Sequence, residues 1–192
     1  MQSLTEAAFL DVARTAGIDF DPQYPGVRSL TYLSPQSESR FWVRPKEPSA
    51  WKPLVSAALT AAGAEGPVLV FPRHGYWPRW PMKVIEPDHT VAFLTHAIGI
   101  PSGWKGAIEF DPSERSRTIA VLVCCWLEIT KDFYVLPRNG KSLIQFSHHD
   151  VVHISCPTAD EMNAVVAAMS VAKYELPTAP PDWTFKRPAW MK

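Results

Sequence analysis

His148, His149, Asp150 and His153 place three imidazoles and a carboxylate within six positions. That donor set suits zinc or another transition metal, which takes imidazole nitrogens and carboxylate oxygens at about 2 Å. On a regular strand the spacing works against it. His149 and His153 share one face and His148 points to the other, unless the chain turns at Asp150. A zinc site also needs a third and usually a fourth ligand. His74, His89, His96 and Cys156 are available, but no H-E-x-x-H or C-x-x-C spacing brings them in. The preferred reading is therefore turn and edge-strand histidines bonded to backbone. Zinc, and general acid–base work near neutral pH, come behind it.

Other chemistries find less support. There is no G-x-S-x-G elbow, and no cysteine sits in a loop beside a histidine. Cys124 and Cys125 lie in the most apolar stretch, which disfavours a thiolate. Bridges from either of them to Cys156 are conceivable across a sheet, but buried, uncharged thiols are the simpler expectation. The nine glycines are dispersed, so no phosphate-cradling loop exists. Glu109 and Asp111 share a strand face next to Pro112 and read as a solvated pair rather than a hydrolytic one.

The strongest candidate for a binding surface is Arg73 to Pro81. From Pro72 on, ten positions hold four aromatic or imidazole rings, two arginines and three prolines. Proline forbids regular structure there, so the rings sit on a rigid loop. Arg73, His74, Tyr76, Trp77, Arg79 and Trp80 are the residues expected to meet a partner. Rigid aromatics and arginine dominate protein interfaces because they lose little entropy on docking. With Lys83 the local charge is positive, so the partner patch is expected to be acidic or aromatic. The competing expectation is that these rings plug the protein's own surface.

What must position these groups is an α+β fold. The 192 residues are 46% hydrophobic and 20% charged, and a chain this long buries roughly 70% of its unfolded surface. Nineteen basic and nineteen acidic residues cancel, which argues against nucleic acid or anionic lipid as partner. The N-terminal residues lack the basic-then-apolar pattern of a signal peptide, and no apolar run reaches a membrane span. A cytoplasmic location is the expectation.

Helices are expected over about 4–16, 50–62 and 158–174. The first follows a capping box at Ser3 to Glu6. The second has Trp51, Leu54, Val55, Ala58 and Ala62 as its stripe. The third follows a box at Thr158 to Glu161, with Met162, Val165, Val166, Met169 and Ala172 inward. Asp88 can cap a shorter helix that buries Val91, Leu94, Ala97 and Ile98. Residues 18–26 read as loop, 27–33 and 40–44 as strands, 67–71 as an interior strand, and 104–110 as another.

Thr118 to Ile129 is almost free of polarity and reads as a strand covered on both faces, after a polar turn at 111–116. Lys131 and Asp132 turn the chain. Asn139-Gly140 signals a type I′ hairpin between 133–136 and 142–147, and Val151 to Cys156 follows a turn at 148–150. The expectation is one α+β domain over 1–175: a mainly antiparallel sheet, including a C-terminal β-meander over 118–156, with helices on one face. The tail 176–192 carries four prolines, Trp183, Phe185 and Trp190. It is expected to lie extended on the domain or on a second copy.

In function, the sequence leans away from an enzyme. It points to a cytoplasmic domain that binds another protein, with no resident cofactor, in the manner of a bacterial immunity or antitoxin protein. The alternative is a metal-dependent or acid–base enzyme built on His148, His149, Asp150 and His153.

Overall fold

The computed structural model describes residues 1–23, 28–34, 37–77, 93–127 and 132–178. Within them lie strands β1 (Gln2–Leu4), β2 (Ile18–Phe20), β3 (Leu30–Tyr32), β4 (Glu38–Val43), β5 (Val68–Pro72), β6 (Ala107–Phe110), β7 (Phe133–Pro137), β8 (Leu143–Ser147) and β9 (Val151–Cys156). The α-helices are α1 (Glu6–Thr15), α2 (Trp51–Ala61), α3 (Arg115–Leu127) and α4 (Ala159–Val171). Seven strands form one antiparallel sheet in the order β1-β6-β5-β7-β8-β9-β4, and β2 and β3 form a separate ribbon. The fold is α+β.

Strand alternation sorts the sheet's side chains onto two faces. One carries Val68, Val70, Phe133, Val135, Ile144, Phe146, Val152 and Ile154, which bury with Leu54, Val55, Ala58 and Leu59 of α2, Val121, Leu122, Cys125 and Trp126 of α3, and Met162, Val165 and Met169 of α4. The other carries Leu69, Phe71, Tyr134, Leu136 and Leu143 under Phe9, Leu10 and Ala13 of α1 and Ile18, Leu30 and Tyr32 of the ribbon. Helices thus cover both faces rather than one. The 18–26 stretch, read as loop, contributes β2. Its partner β3 is the narrower core of the strand expected over 27–33.

The largest correction is α3. The run from Thr118 onward is helical, so the meander begins at Phe133. Asp111 starts this helix: its side chain accepts from the Ser113 amide while Glu114 reaches back to the Asp111 amide, with Pro112 in the first turn. The segment read as a polar turn is a capping box, and a continuous apolar run follows it because α2 lies on one side of α3 and the sheet on another. Cys124 and Cys125 are therefore helical, and none of the three cysteines is joined in a disulfide among the described residues.

Smaller corrections have local causes. Ser3 lies in β1, and Thr5 caps α1 instead, accepting from the Ala8 amide at 3.2 Å. Glu6 is taken by Arg28 at 2.7 Å. The β7–β8 hairpin closes with the Gly140 amide donating to the Pro137 carbonyl at 3.1 Å. Arg138 and Asn139 are its central residues, and neither Asn139 nor Gly140 has the positive φ of a type I′ turn. A single π-helical turn spans Phe93–Ile98. Leu94 and Ile98 are buried and Ala97 is exposed, while Asp88 and Val91 lie outside the described residues. Ala172 is exposed as well. Of the tail, Leu176 packs with Tyr174 on the core; Trp183, Phe185 and Trp190 lie outside the described residues. Among the described residues no helix is long and apolar enough to cross a membrane.

Gly106 is where the N-terminal strand, the loop after β5 and β6 meet. Its φ is +125°, and a β-carbon there would run into the Leu4 carbonyl. Gly63 has a φ of +70° but nothing within 4 Å of an added β-carbon. Gly106→Ala should therefore lower unfolding free energy by at least ~2 kcal/mol and Gly63→Ala by only about 1 kcal/mol. Urea denaturation of the two variants measures both values.

Candidate functional site

The site is built around Asp132, one residue ahead of β7. Its side chain is 1% exposed. Oδ1 accepts from the His148 backbone amide at 2.8 Å and contacts His148 Nδ1 at 2.5 Å. Oδ2 accepts from Arg73 Nη1 at 2.6 Å and from Gln145 Nε2 at 3.1 Å. The Asp132 carbonyl also takes the Arg73 amide at 2.8 Å. A buried carboxylate keeps its charge only with such partners.

Strand order brings these groups together. Arg73 follows β5 and Asp132 precedes β7, and β5 pairs with β7 through Pro72 opposite Phe133. His148 follows β8, which pairs with β7 through Phe146 opposite Phe133. The arginine loop and the histidine cluster, selected separately from the sequence, are thus two ends of one network.

The 148–150 turn is held from both sides. The Asp150 amide donates to the Ser147 carbonyl at 3.1 Å, and Asp150 adopts φ +64°, which a short polar side chain tolerates. The Asp150 carbonyl accepts the Arg44 amide at 2.6 Å, and its carboxylate pairs with Arg44 Nη2 at 2.5 Å. Arg44 stacks over Trp51 and Trp126, 4.6 and 5.4 Å from their ring centroids. Trp126 in turn donates to the Ser147 carbonyl at 2.9 Å. Because the chain turns here, the His148 and His149 rings lie on one side, their centroids 4.1 Å apart. His153 stands in register with Gln145 and Phe41, its ring 5.8 Å from the Phe41 ring.

The four candidate ligands therefore do different jobs. Among the described residues no group of three or more His, Cys, Asp or Glu side chains is placed to hold a metal ion. Glu109 and Asp111 also separate: Glu109 pairs with Arg138 at 2.8 Å, and Asp111 caps the helix start.

The electrostatics follow from this geometry. Hydrogen bonding to Asp132 raises the His148 pKa above the ordinary imidazole value, outweighing burial. Burial pushes the Asp132 carboxyl up, yet the His148 ring, the His148 amide and Arg73 together outweigh it and hold it well below the carboxylate range. Burial and then the neighbouring His148 lower His149; burial lowers His153. The two shifts oppose each other: His148 is biased toward its charged form and His149 toward its neutral one.

The partner-facing residues divide as well. Arg73 is turned onto Asp132. Trp77 is 1% exposed, donates from Nε1 to the Gly106 carbonyl at 3.1 Å and packs 5.3 Å from the Phe133 ring. Its ring anchors the segment and is not offered to a partner. His74 is exposed and Tyr76 half-buried, their rings 6.3 Å apart, with Tyr76 bridged to Lys105. Arg79 and Trp80 lie outside the described residues. Sequence reasoning missed Asp132 and Gln145. The one available signal was an acidic residue placed directly before a fully apolar strand.

Compared with known proteins, the chain matches no protein-family model, no curated protein and no solved structure.

A raised His148 pKa stabilises the fold below the unfolded imidazole value, and that contribution is lost as pH rises through the folded pKa. A lowered Asp132 pKa stabilises above the unfolded carboxylate value and is lost as pH falls through the folded one. The pair thus contributes most between about pH 4 and pH 6.5. His148→Gln keeps a donor for Asp132 but no charge. Its stability deficit against the native protein should be largest in that window and shrink by about pH 9, as read from urea midpoints across pH.

Proposed function

We propose that the protein is a non-catalytic binding module for another protein, and that its partner docks over Arg73, His74, Tyr76 and the 148–150 turn. The observation carrying this reading is the shared grip of Asp132 on Arg73 and His148. A buried carboxylate fixes two cations whose side chains each remain 29% exposed. Rigidly held donors lose little freedom on docking. Trp77, locked in the core, gives His74 and Tyr76 a fixed base. A carboxylate bonded to His148 Nδ1 biases the ring toward its protonated, donating form, which favours recognition over base catalysis. In its specific form the module is a cytoplasmic bacterial immunity- or antitoxin-like protein that covers a toxin's active site.

The test is co-expression with each product encoded beside its gene, followed by size-exclusion chromatography. A stable complex with one of them is expected, weakened about tenfold or more by Tyr76→Ala. Absence of a complex with every neighbour contradicts the reading.

One observation favours a second reading, acid–base catalysis. Adjacent imidazoles with opposed pKa shifts are an arrangement in which His148 supplies a proton and His149 accepts one. That reading requires turnover of an activated ester or phosphodiester with a bell-shaped pH profile that His149→Gln abolishes.

A further inference from the structure

We propose that Arg73 and His148 form a preorganised receptor for one carboxylate, supplied by an acidic side chain of the partner; this rests on the binding reading above. Arg73 reaches Asp132 through Nη1, and His148 reaches it through Nδ1. Among the described residues no acceptor is bonded to the remaining guanidinium nitrogens of Arg73 or to Nε2 of His148. The two cations hold the two oxygens of one carboxylate, so they stand side by side, each side chain 29% exposed. Such charge-assisted donors form the strongest hydrogen bonds a protein offers an oxyanion.

Charge decides which oxyanion fits. Arg73 and His148 carry two positive charges against one negative charge on Asp132. Arg44 and Asp150 cancel each other, Gln145 is neutral, and His149 and His153 are both held toward their neutral forms. Among the described residues one positive charge is left when His148 is protonated. A carboxylate neutralises it, whereas a phosphate dianion leaves the site net negative. The receptor therefore takes a monoanion, and an aspartate or glutamate side chain is the monoanion a protein partner carries.

Side-chain NMR of the full chain at about pH 6 tests this, with sodium acetate, sodium sulfate (a dianion at this pH) and sodium chloride at matched ionic strength as probes. Acetate should shift the Arg73 guanidinium and His148 imidazole resonances saturably, and His148→Gln should weaken acetate about tenfold. Equal shifts with chloride overturn the proposal, as does sulfate binding about tenfold tighter than acetate. If His148→Gln fails to fold, the native protein at about pH 9 replaces it. Among the described residues the charged and titratable groups around His148 are Asp132, Arg73, His149, Asp150, Arg44 and His153, and of these only His148 loses a charge that acetate needs. Unchanged affinity refutes the receptor. Acetate binding with no protein complex removes the module reading alone; a complex formed without involving Arg73 and His148 removes the receptor alone.

Discussion

A carboxylate taken out of water costs several kcal/mol unless charged and hydrogen-bonding groups replace the solvent. Asp132 pays that cost by collecting an arginine, a histidine, a backbone amide and a glutamine side chain from the two strands that flank β7. The constraint is strict in both directions. Removing any one partner leaves a buried carboxylate oxygen short of a hydrogen bond, and the partners in turn have few other orientations while the carboxylate holds them. The loop after β5, the start of β7 and the β8–β9 turn are therefore one unit.

The rest of the fold keeps that unit in register. Trp126 of α3 reaches the Ser147 carbonyl, and Arg44 clamps Asp150 while lying over Trp51 of α2 and Trp126. The helical layer thus grips the turn from behind. Trp77 is driven into that same core beside Phe133, the residue that follows Asp132. Burial of apolar rings fixes the backbone, and the backbone then places the cations.

Features encoded by neighbouring residues were legible in the sequence. Helices α2 and α4, the interior strand at 67–71 and the turn at 148–150 all follow from local spacing. So does the Thr158 cap, which accepts from the Glu161 amide at 3.2 Å. The run from Thr118 was misread because a helix covered on several sides shows no period, and its capping box at Asp111 looked like a turn. Asn139-Gly140 marked the right hairpin with the wrong backbone, since a turn starting at Pro137 closes it instead. Asp132 was illegible for a different reason. Its bonds to Arg73 and His148 span 59 and 16 positions, and only the β5-β7-β8 order brings them together. The same order explains why the arginine loop and the histidine cluster read as unrelated candidates.

The account stands on Asp132 holding His148 in its charged form. Titration of the His148 imidazole by NMR measures this directly. The predicted result is a protonated Nδ1 and a midpoint above the ordinary imidazole value of about 6.5, falling back toward it in Asp132→Asn. A midpoint at or below that value in the native protein, or one that Asp132→Asn leaves unchanged, contradicts it.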